Sequence, residues 1–540
     1  MHAQVGRGGS EWLTTHGDAQ RTSWIRSDAL ISVPAMSKPG FALQWKTTLE
    51  NANRKNYGIG GGVSAPGVTL FVPMQLVTGS SNNVYAIDSD TGYLVWQRHF
   101  DAPLPAVTDA CPGGTLSAPT RIVSAAPPAV AAAPERGGGG RATQGYHSVL
   151  GQPGEGAPVE VRGGGPGRGG AAPAAGRGAA GPPNAAGGAP AGAPPAGQRA
   201  DATAGRGAGQ GGGFGRGPSE PIPGAPPDQL GGGGLGRPSG VVYAISSDGV
   251  LHVMGLQSGK DLQKPAPFVP ANSRWSDPIA VGTMLYTSTS GGCGGAPNAV
   301  WAIDLESESK PVVSWKGDAP LLGSLAFTTA GTLVGVTASG IVTLDAKTLQ
   351  PNGSFNAARL NSEFVTGPTI FKHGEREIVA AGLKDGRMLL VEAAGIDPSG
   401  GRPSYSDTNS EPAVATDSLA TWQDAATGTQ SILVPTERSV AALRVDEGRG
   451  VAMVRPQWRA SDLAGPGTPL IVNGVIFVLE RGSTAVLHAY DGTTGKELWT
   501  SGKTMTAAAA PGSFWSAFGQ IYVGTTDGTL YAFGFDDERR

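Results

Sequence analysis

A short motif recurs along most of the chain and restricts its fold more than any other feature. The letters VYAIDSDTGYLVW occupy 84–96, and AYDGTTGKELW occupies 489–499 near the other end. Repetition of this kind indicates one supersecondary unit that is used many times. Related copies, some of them degenerate, occur at 300–304, 341–346, 440–446 and 530–533.

Each copy has the pattern of β-strands joined by a tight turn. The apolar residues alternate as they do in half-buried strands. Asp88 can accept backbone N–H bonds while Gly92 supplies a positive φ, so the stretch between them predicts a turn. Trp96 closes the next strand and can dock on a neighbouring unit. Corresponding Asp residues are about 40 to 60 positions apart, which fits a four-stranded propeller blade.

The pattern therefore predicts an all-β fold, an eight-bladed β-propeller with four-stranded blades. The last blade has three strands at the C-terminus, and Leu43–Lys46 is predicted to supply its missing outer strand and to close the ring. Seven blades is the alternative if blade five or six is misread. The predicted blades are 63–100, 118–123 with its continuation from 241, 276–317, 323–355, 366–394, 419–458, 468–499 and 512–535.

The pattern Val-Tyr-Ala-Ile-Asp-x-x-Thr-Gly-x-Leu-x-Trp at 84–96 resembles the pyrroloquinoline-quinone (PQQ) repeat. The chain is similar in this respect to the quinoprotein alcohol dehydrogenase-like propeller superfamily, over 41–536 apart from one low-complexity tract. That superfamily includes enzymes and also non-catalytic scaffolds of outer-membrane assembly. The resemblance is specific for the fold and leaves the function open.

The low-complexity tract, 124–238, interrupts the second predicted blade. It holds about 35 of the 86 Gly and about 18 of the 43 Pro, with two aromatic residues. Such a segment cannot bury enough apolar surface to offset the entropy of ordering, so we predict that it is disordered. Its RGG sequences would suit an arm that binds nucleic acid. A solvated linker is the alternative, and the scarcity of aromatics favours the linker.

The predicted division of the chain is an N-terminal extension at 1–40, the start of the propeller at 41–123, the insertion, and the remaining blades at 239–540.

A net charge of −3 argues against electrostatic binding of nucleic acid. No run of 18 apolar residues predicts a membrane span. Met1–Gln4 is consistent with the remnant of a removed signal peptide, so we expect a secreted or periplasmic bacterial protein. The oligomeric state stays open.

Propeller topology assigns the predicted loops to two faces. With strands A to D running outward in each blade, the D–A and B–C loops share what we term the first face. The A–B and C–D loops share the second face, from which the insertion leaves. Cys111 and Cys293 lie in first-face loops of adjacent blades, so a disulfide between them is geometrically allowed and would suit an oxidising compartment. Two free thiols are the alternative.

Candidate ligand-binding residues lie in predicted loops of the first face, where basic groups stand beside aromatic ones. Around a channel mouth, such groups would suit an anionic ligand such as a quinone carboxylate, a sugar acid or a peptide end. Ordinary solvated loop residues are the alternative, and no catalytic residue or metal ligand is assigned. The candidates are Arg54, Asn56, Tyr57, Arg274, Trp275, Lys384, Asp385, Glu437, Arg438 and Trp515.

The resemblance implies that an enzyme of this kind would hold PQQ on the first face, with a vicinal Cys pair, a Trp floor and a calcium site of Glu, Asn and Asp. This sequence has two separated Cys and no Asp-rich calcium loop. We therefore expect an exported binding or assembly scaffold, with a protein or small-molecule ligand on its first face. The alternative is a PQQ-dependent alcohol or sugar dehydrogenase with a divergent cofactor site that uses PQQ and calcium, so enzymatic activity stays open.

Overall fold

The computed structural model describes the propeller and only the first residues of the insertion. The tract predicted to be disordered lies outside the described residues from 127 to 239. The residues described are 11–49, 61–65, 75–80, 82–102, 111, 118–126, 240–396, 405–409, 414, 417–448 and 450–536.

Eight β-sheets follow one another along the chain as the blades of a propeller, as the repeat predicted. Within a blade, consecutive strands pair antiparallel from the inner strand outward, except that the first strand of blade 2 pairs with blade 3. Blades 1 to 4 consist of Gly62–Ala65, Gln75–Ser80, Asn83–Asp88 and Leu94–His99; Ile122–Val123, Val241–Ile245, Val250–Gly255 and Ala266–Pro267; Ile279–Val281, Met284–Ser290, Ala299–Asp304 and Val312–Lys316; and Ala326–Phe327, Leu333–Thr337, Gly340–Leu344 and Pro351–Asn356.

The second half of the ring repeats this arrangement with longer strands in blade 6. Blades 5 to 8 consist of Thr369–His373, Arg376–Gly382, Arg387–Glu392 and Tyr405–Asn409; Ala420–Gln423, Gln430–Pro435, Ser439–Gly448 and Val451–Ser461; Leu470–Val472, Val475–Arg481, Ala485–Asp491 and Glu497–Thr500; and Ala509–Ala517, Gln520–Thr525, Thr529–Phe535 and Phe41–Thr48. Three further short pieces are Trp24–Ile25, Arg274–Trp275 and the helix Val33–Met36. Single 3₁₀ turns occur at Cys293–Gly295, Ala357–Leu360 and Ala393–Gly395.

The middle strands of the blades are apolar because both of their faces are covered by neighbouring blades. Every residue of Thr529–Phe535 is buried, and Val475–Arg481 is buried from its first residue through Leu479. A continuous apolar run of this length is the expected sequence of a strand that is buried on both faces. The hydrophobic core therefore lies between the blades, as a ring of inter-blade clusters.

The two ends of the described propeller meet in blade 8, which confirms the predicted closure. Phe41–Thr48 pairs antiparallel with Thr529–Phe535, with Leu43 opposite Phe533 and Lys46 opposite Tyr531. This pairing covers the strand edge that blade 8 would otherwise expose.

Two blades differ from their prediction. Blade 5 was predicted to end at residue 394, but its outer strand is Tyr405–Asn409, which is too polar to be recognised as a buried strand. In blade 2, the predicted inner strand 118–123 is reduced to a bridge between Thr120 and Tyr243. Its last residues, Ile122–Val123, pair in parallel with the inner strand of blade 3.

The repeated Asp and Gly form the turn that the motif predicted. The Asp88 carboxylate accepts the backbone N–H groups of Asp90 and Thr91 at 2.8 and 3.2 Å, and Gly92 has φ +72°. The same carboxylate-to-backbone bonds recur at Asp304, Asp345, Asp424 and Asp491. None of the helices in the described part of the chain has the length and hydropathy needed to span a bilayer.

Candidate functional site

The central channel of the propeller is filled by the chain's own residues 12–25, which we term the channel segment. It lies within the predicted N-terminal extension, 1–40. Hydrogen bonds join Trp12 to Ser64 of blade 1, and the Leu13 carbonyl accepts the N–H of Arg121 in blade 2 at 2.8 Å. The Thr14 hydroxyl then donates to the Pro278 carbonyl, just before the inner strand of blade 3.

The second half of the channel segment continues around the ring in blade order. The carbonyls of Ala19, Gln20, Thr22 and Ser23 accept N–H groups from the inner strands of blades 4, 5, 6 and 7, at 2.8 to 3.0 Å. Inner strands present an unpaired edge to a channel, and buried N–H groups need acceptors. The channel segment supplies those acceptors and so closes the channel.

Arg21 is a buried cation of this channel and is 1% exposed. Its Nε donates to the Leu325 carbonyl at 2.7 Å, and its Nη1 donates to the Thr15 carbonyl at 2.5 Å. Leu325 and Asp277 both precede inner strands, so the guanidinium lies toward the first-face end of the channel. Burial lowers the pKa of Arg21 to about 10, opposed by Asp277 and Asp18, so the group stays cationic at neutral pH.

One donor of Arg21 has no acceptor. Its Nη2 is buried and makes no hydrogen bond within the part of the chain that the structure describes. Burial raises the pKa of the neighbouring Asp277, while the charge of Arg21 acts in the other direction. An unused N–H group of a guanidinium can donate a hydrogen bond to one oxygen atom of an anionic ligand.

The backbone of the channel segment is strained where it turns. His16, Arg21 and Ser23 have φ between +54° and +60°, a region that residues other than Gly rarely occupy. Burial lowers the pKa of His16 to about 4, and its ring accepts or donates one hydrogen bond with the Ser23 hydroxyl at 2.8 Å. Strained positions persist where surrounding contacts over-determine them, and they cluster at functional sites.

Sequence reasoning did not assign these channel residues. Thr14, Gln20 and Arg21 belong to a polar stretch between Trp12 and Trp24 that has neither strand nor helix periodicity. Their partners lie far along the chain: Arg21 and Leu325 are 304 positions apart. A polar segment enclosed by two Trp residues was the available signal, and it does not indicate a channel.

The candidates of blades 5 and 6 lie in first-face loops but form separate local pairs. Lys384 and Arg438 are highly exposed and lie 3.6 Å from Glu363 and 3.8 Å from Asp462, respectively. The Arg387 side chain donates to Asp385 and holds the pKa of that carboxyl below its usual value despite partial desolvation. Glu437 is exposed beside Arg438 in its turn.

The remaining candidates do not join these pairs. Arg274 and Trp275 form a short strand that pairs with Ser290 and Thr289 of blade 3. Within the described chain, no hydrogen bond or ion pair joins them to the candidates of blades 5 and 6. Arg54, Asn56 and Tyr57 lie outside the described residues.

The prediction that Trp515 lies in a first-face loop is wrong. Trp515 lies within Ala509–Ala517 and is 0% exposed. Its ring stacks on Tyr522 at 5.6 Å, and Gly62 of blade 1 approaches it so closely that a Cβ there would lie 2.6 Å from the indole. The indole is core packing between blades 8 and 1, because a large apolar ring gains most from full burial.

A disulfide joins the first-face loops of two blades. Cys111, before blade 2, and Cys293, in the B–C connection of blade 3, are bonded with a Cα–Cα distance of 5.6 Å. The two residues are 182 positions apart, and the insertion lies between them. The disulfide thus ties the chain together across the insertion.

The described residues do not assemble the calcium site that a PQQ enzyme would use. Among them, no group of three or more His, Cys, Asp or Glu side chains is placed to hold a metal ion. Trp515 packs between blades and does not form a floor at the channel mouth. Arg21 is the described donor that suits a quinone carboxylate, but the other described residues do not fit PQQ with its metal.

Comparison with solved structures shows the fold. The chain is similar to a europium-containing methanol dehydrogenase, with a TM-score of 0.50 at 10% identity over 97% of this chain and 98% of that one. It is also similar to quinohemoprotein alcohol dehydrogenase ADHIIG from Pseudomonas putida HK5, with a TM-score of 0.49 at 11% identity over 97% of this chain and 80% of the other.

A smaller propeller matches part of the chain. BamB from Moraxella catarrhalis has a TM-score of 0.39 at 17% identity, over 55% of this chain and 80% of its own. No protein-family model matches the sequence, and no curated protein sequence does. The chain has the fold of the PQQ-type eight-bladed propellers, and a likeness at such low identity speaks for the fold alone.

Proposed function

We propose that this protein is an exported binding scaffold that recognises a protein partner through the loops of its first face. The observation that carries the proposal is the channel segment, whose backbone is bonded to the inner strands of most blades. A propeller filled in this way offers a rigid ring with loops at its ends, and scaffold-borne loops are common binding elements.

The charges on the first face support a protein partner. Lys384 with Glu363, and Arg438 with Asp462, are ion pairs whose side chains are all more than half exposed. Exposed pairs of this kind contribute little to folding stability. They are therefore free to exchange their partners for complementary charges on another protein, which favours specificity and association rate.

Export is supported by the Cys111–Cys293 disulfide, because disulfides form and persist in oxidising compartments. Alkylation of protein isolated without reductant tests this part of the proposal. Two blocked cysteines that become reactive after reduction are expected. Two thiols that react before reduction would contradict export.

Site-specific photo-crosslinking in the producing cells tests the scaffold function. A crosslinking amino acid at position 384 or 438 is expected to capture one or a few envelope proteins. The matched positions are Lys347 and Lys496, which are exposed in turns of the second face. Capture from the first face alone, reduced by Arg438→Glu in a protein that carries the crosslinker at 384, supports the scaffold. Equal capture from both faces, or none, contradicts it.

The second candidate function is a quinoprotein oxidoreductase, and the unpartnered Nη2 of Arg21 is the observation that favours it. Bound PQQ would supply the redox chemistry. Incubation of the purified protein with PQQ and calcium tests it. The scaffold proposal expects no bound quinone spectrum and no reduction of a dye with alcohols or sugars. Stoichiometric binding of PQQ together with substrate-dependent dye reduction would contradict the scaffold proposal and favour the oxidoreductase.

A further inference from the structure

A polar cleft opens on the second face, between blades 6 and 7. Its volume is about 240 Å³, below the size of typical drug-binding pockets, so it suits a small ligand. It is bordered by the Asp424 turn of blade 6 and by Thr493 in the Asp491 turn of blade 7. We term it the blade 6–7 cleft.

One row of side chains crosses all four strands of blade 6 and forms the floor of the cleft. Trp422 is opposite Ser431, Ser431 is opposite Arg444, and Arg444 is opposite Arg455. Directly opposed residues of paired strands project from the same face of the sheet. The edge of the Trp422 ring lies against Gly474 and Gly492, so this face is the one turned toward blade 7.

The next row on the same face is apolar and closes the cleft. It runs through Ala420, Leu433, Ala442 and Trp458, which pack in one hydrophobic cluster with blade 7. The cleft therefore begins where apolar side chains give way to a serine and two arginines.

The acceptors around the cleft are already in use. Asp424 accepts two backbone N–H groups of its own turn and the hydroxyl of Thr493. The side-chain oxygen of Gln457 accepts from Ser431 at 3.1 Å, and its amide donates to the Thr493 carbonyl at 3.1 Å. A ligand would find few free acceptors here.

The donors are in surplus. Asp446 holds both arginines, contacting Arg444 Nε at 2.8 Å and Arg455 Nε at 3.0 Å. The Nη atoms of Arg455 have no partner within the described chain, and this side chain is 66% exposed. Trp422 is only 5% exposed, and its buried indole N–H has no acceptor within the described chain. An unpaired buried donor is unfavourable, and a ligand acceptor would remove that cost.

We propose that the blade 6–7 cleft binds a small hydroxy carboxylate of the sugar-acid class. A carboxylate matches a guanidinium with two parallel hydrogen bonds, which the free Nη atoms of Arg455 can provide. The hydroxyl groups of Thr427 and Thr429 border the same space and complement ligand hydroxyls. This site lies on the face opposite the proposed protein-binding loops and does not depend on that proposal.

Calorimetric titration of the full chain with D-glucuronate at low salt tests the site. Arg455→Gln keeps a long polar side chain and is expected to weaken binding at least tenfold. Trp422→Phe keeps an aromatic ring at this position but removes the N–H group, and a loss of about threefold to tenfold is expected. Arg359→Gln, at an exposed position in the 3₁₀ turn Ala357–Leu360 after blade 4, is the matched control and should bind as the wild type does.

Three further ligands separate this site from other anion or sugar sites. D-glucose should bind at least tenfold more weakly than glucuronate, because it lacks the carboxylate. Inorganic sulfate should also bind more weakly, because it cannot use the hydroxyl-lined part of the cleft. An acidic peptide should not compete. Absence of glucuronate binding, equal binding of glucose or sulfate, competition by the peptide, or an unchanged affinity in Arg455→Gln would each overturn the proposal.

Discussion

At the scale of single residues, the repeat motif joins three pairs of neighbouring blades through one Trp and one Gly. Trp458, in the outer strand of blade 6, donates its indole N–H to the Gly492 carbonyl of blade 7 at 2.6 Å. A Cβ at Gly495 would lie 2.7 Å from the same ring. Trp45 and Trp96 make the same contacts with the turns of blades 1 and 2. The Gly of the motif therefore serves two purposes: it adopts a positive φ, and its lack of a side chain lets the indole pack against the backbone.

Substitution of two equivalent glycines separates these purposes. Gly495→Ala combines backbone strain at φ +73° with a collision against Trp458, so a loss of about 2–4 kcal/mol in the free energy of unfolding is expected. Gly428 ends the same type of turn at φ +70°, but nothing lies within 4 Å of a Cβ added there. Gly428→Ala should cost about 1–2 kcal/mol. Urea unfolding measures both, and equal losses would show that the indole contact contributes nothing.

At the scale of an element, the channel segment is a strand-like piece of chain that pairs with inner strands without forming a sheet of its own. Only Trp24–Ile25 has regular pairing, in parallel with Leu470–Val472. The rest follows the curvature of the ring through positive-φ residues such as His16. Its stability depends on buried polar groups that must keep their charge state, so it should respond to pH before the blades do.

His16 predicts the sign of that response. Burial lowers its folded-state pKa from 6.5 to about 4, so the stability that it confers is complete above about pH 6.5 and is lost as the pH falls toward 4. His16→Asn keeps a residue that tolerates positive φ but does not titrate. The wild type should lose more unfolding free energy than this variant between pH 7 and pH 4. Urea midpoints across this range measure the difference, and parallel pH profiles would contradict the assignment.

At the scale of the whole molecule, the ring is closed by three devices of different kinds. The Phe41–Thr48 strand completes blade 8, the channel segment bonds to the inner strands, and the Cys111–Cys293 disulfide ties blade 2 to blade 3. The disulfide holds the loop that leads into blade 2, the blade that the insertion interrupts and whose inner strand is reduced to a bridge. It therefore restrains the part of the ring with the fewest strand pairs.

Removal of the disulfide should destabilise the ring. A bond between residues 182 positions apart removes much of the entropy of the unfolded chain, so Cys111→Ser with Cys293→Ser should lose roughly 2–5 kcal/mol. Guanidinium unfolding of both proteins, with and without reductant, measures this loss. Reductant should lower the midpoint of the wild type and leave the double variant unchanged. A wild-type unfolding midpoint that does not change with reductant would contradict this stabilising role of the disulfide.

The local sequence determined most strands of the blades, their order, their turns and the closing strand, because these are encoded by contiguous motifs such as 84–96. The outer strand of blade 5 and the inner strand of blade 2 carry no such motif and were not predicted correctly. The sequence also placed Cys111 and Cys293 on one face through topology alone. Only the tertiary structure decided that Arg21 fills the channel, that Trp515 is core, and that Trp422 and Arg455 border one cleft. The physical reason is that burial and hydrogen-bond partners depend on residues distant in sequence, as with Arg21 and Leu325, which are 304 positions apart.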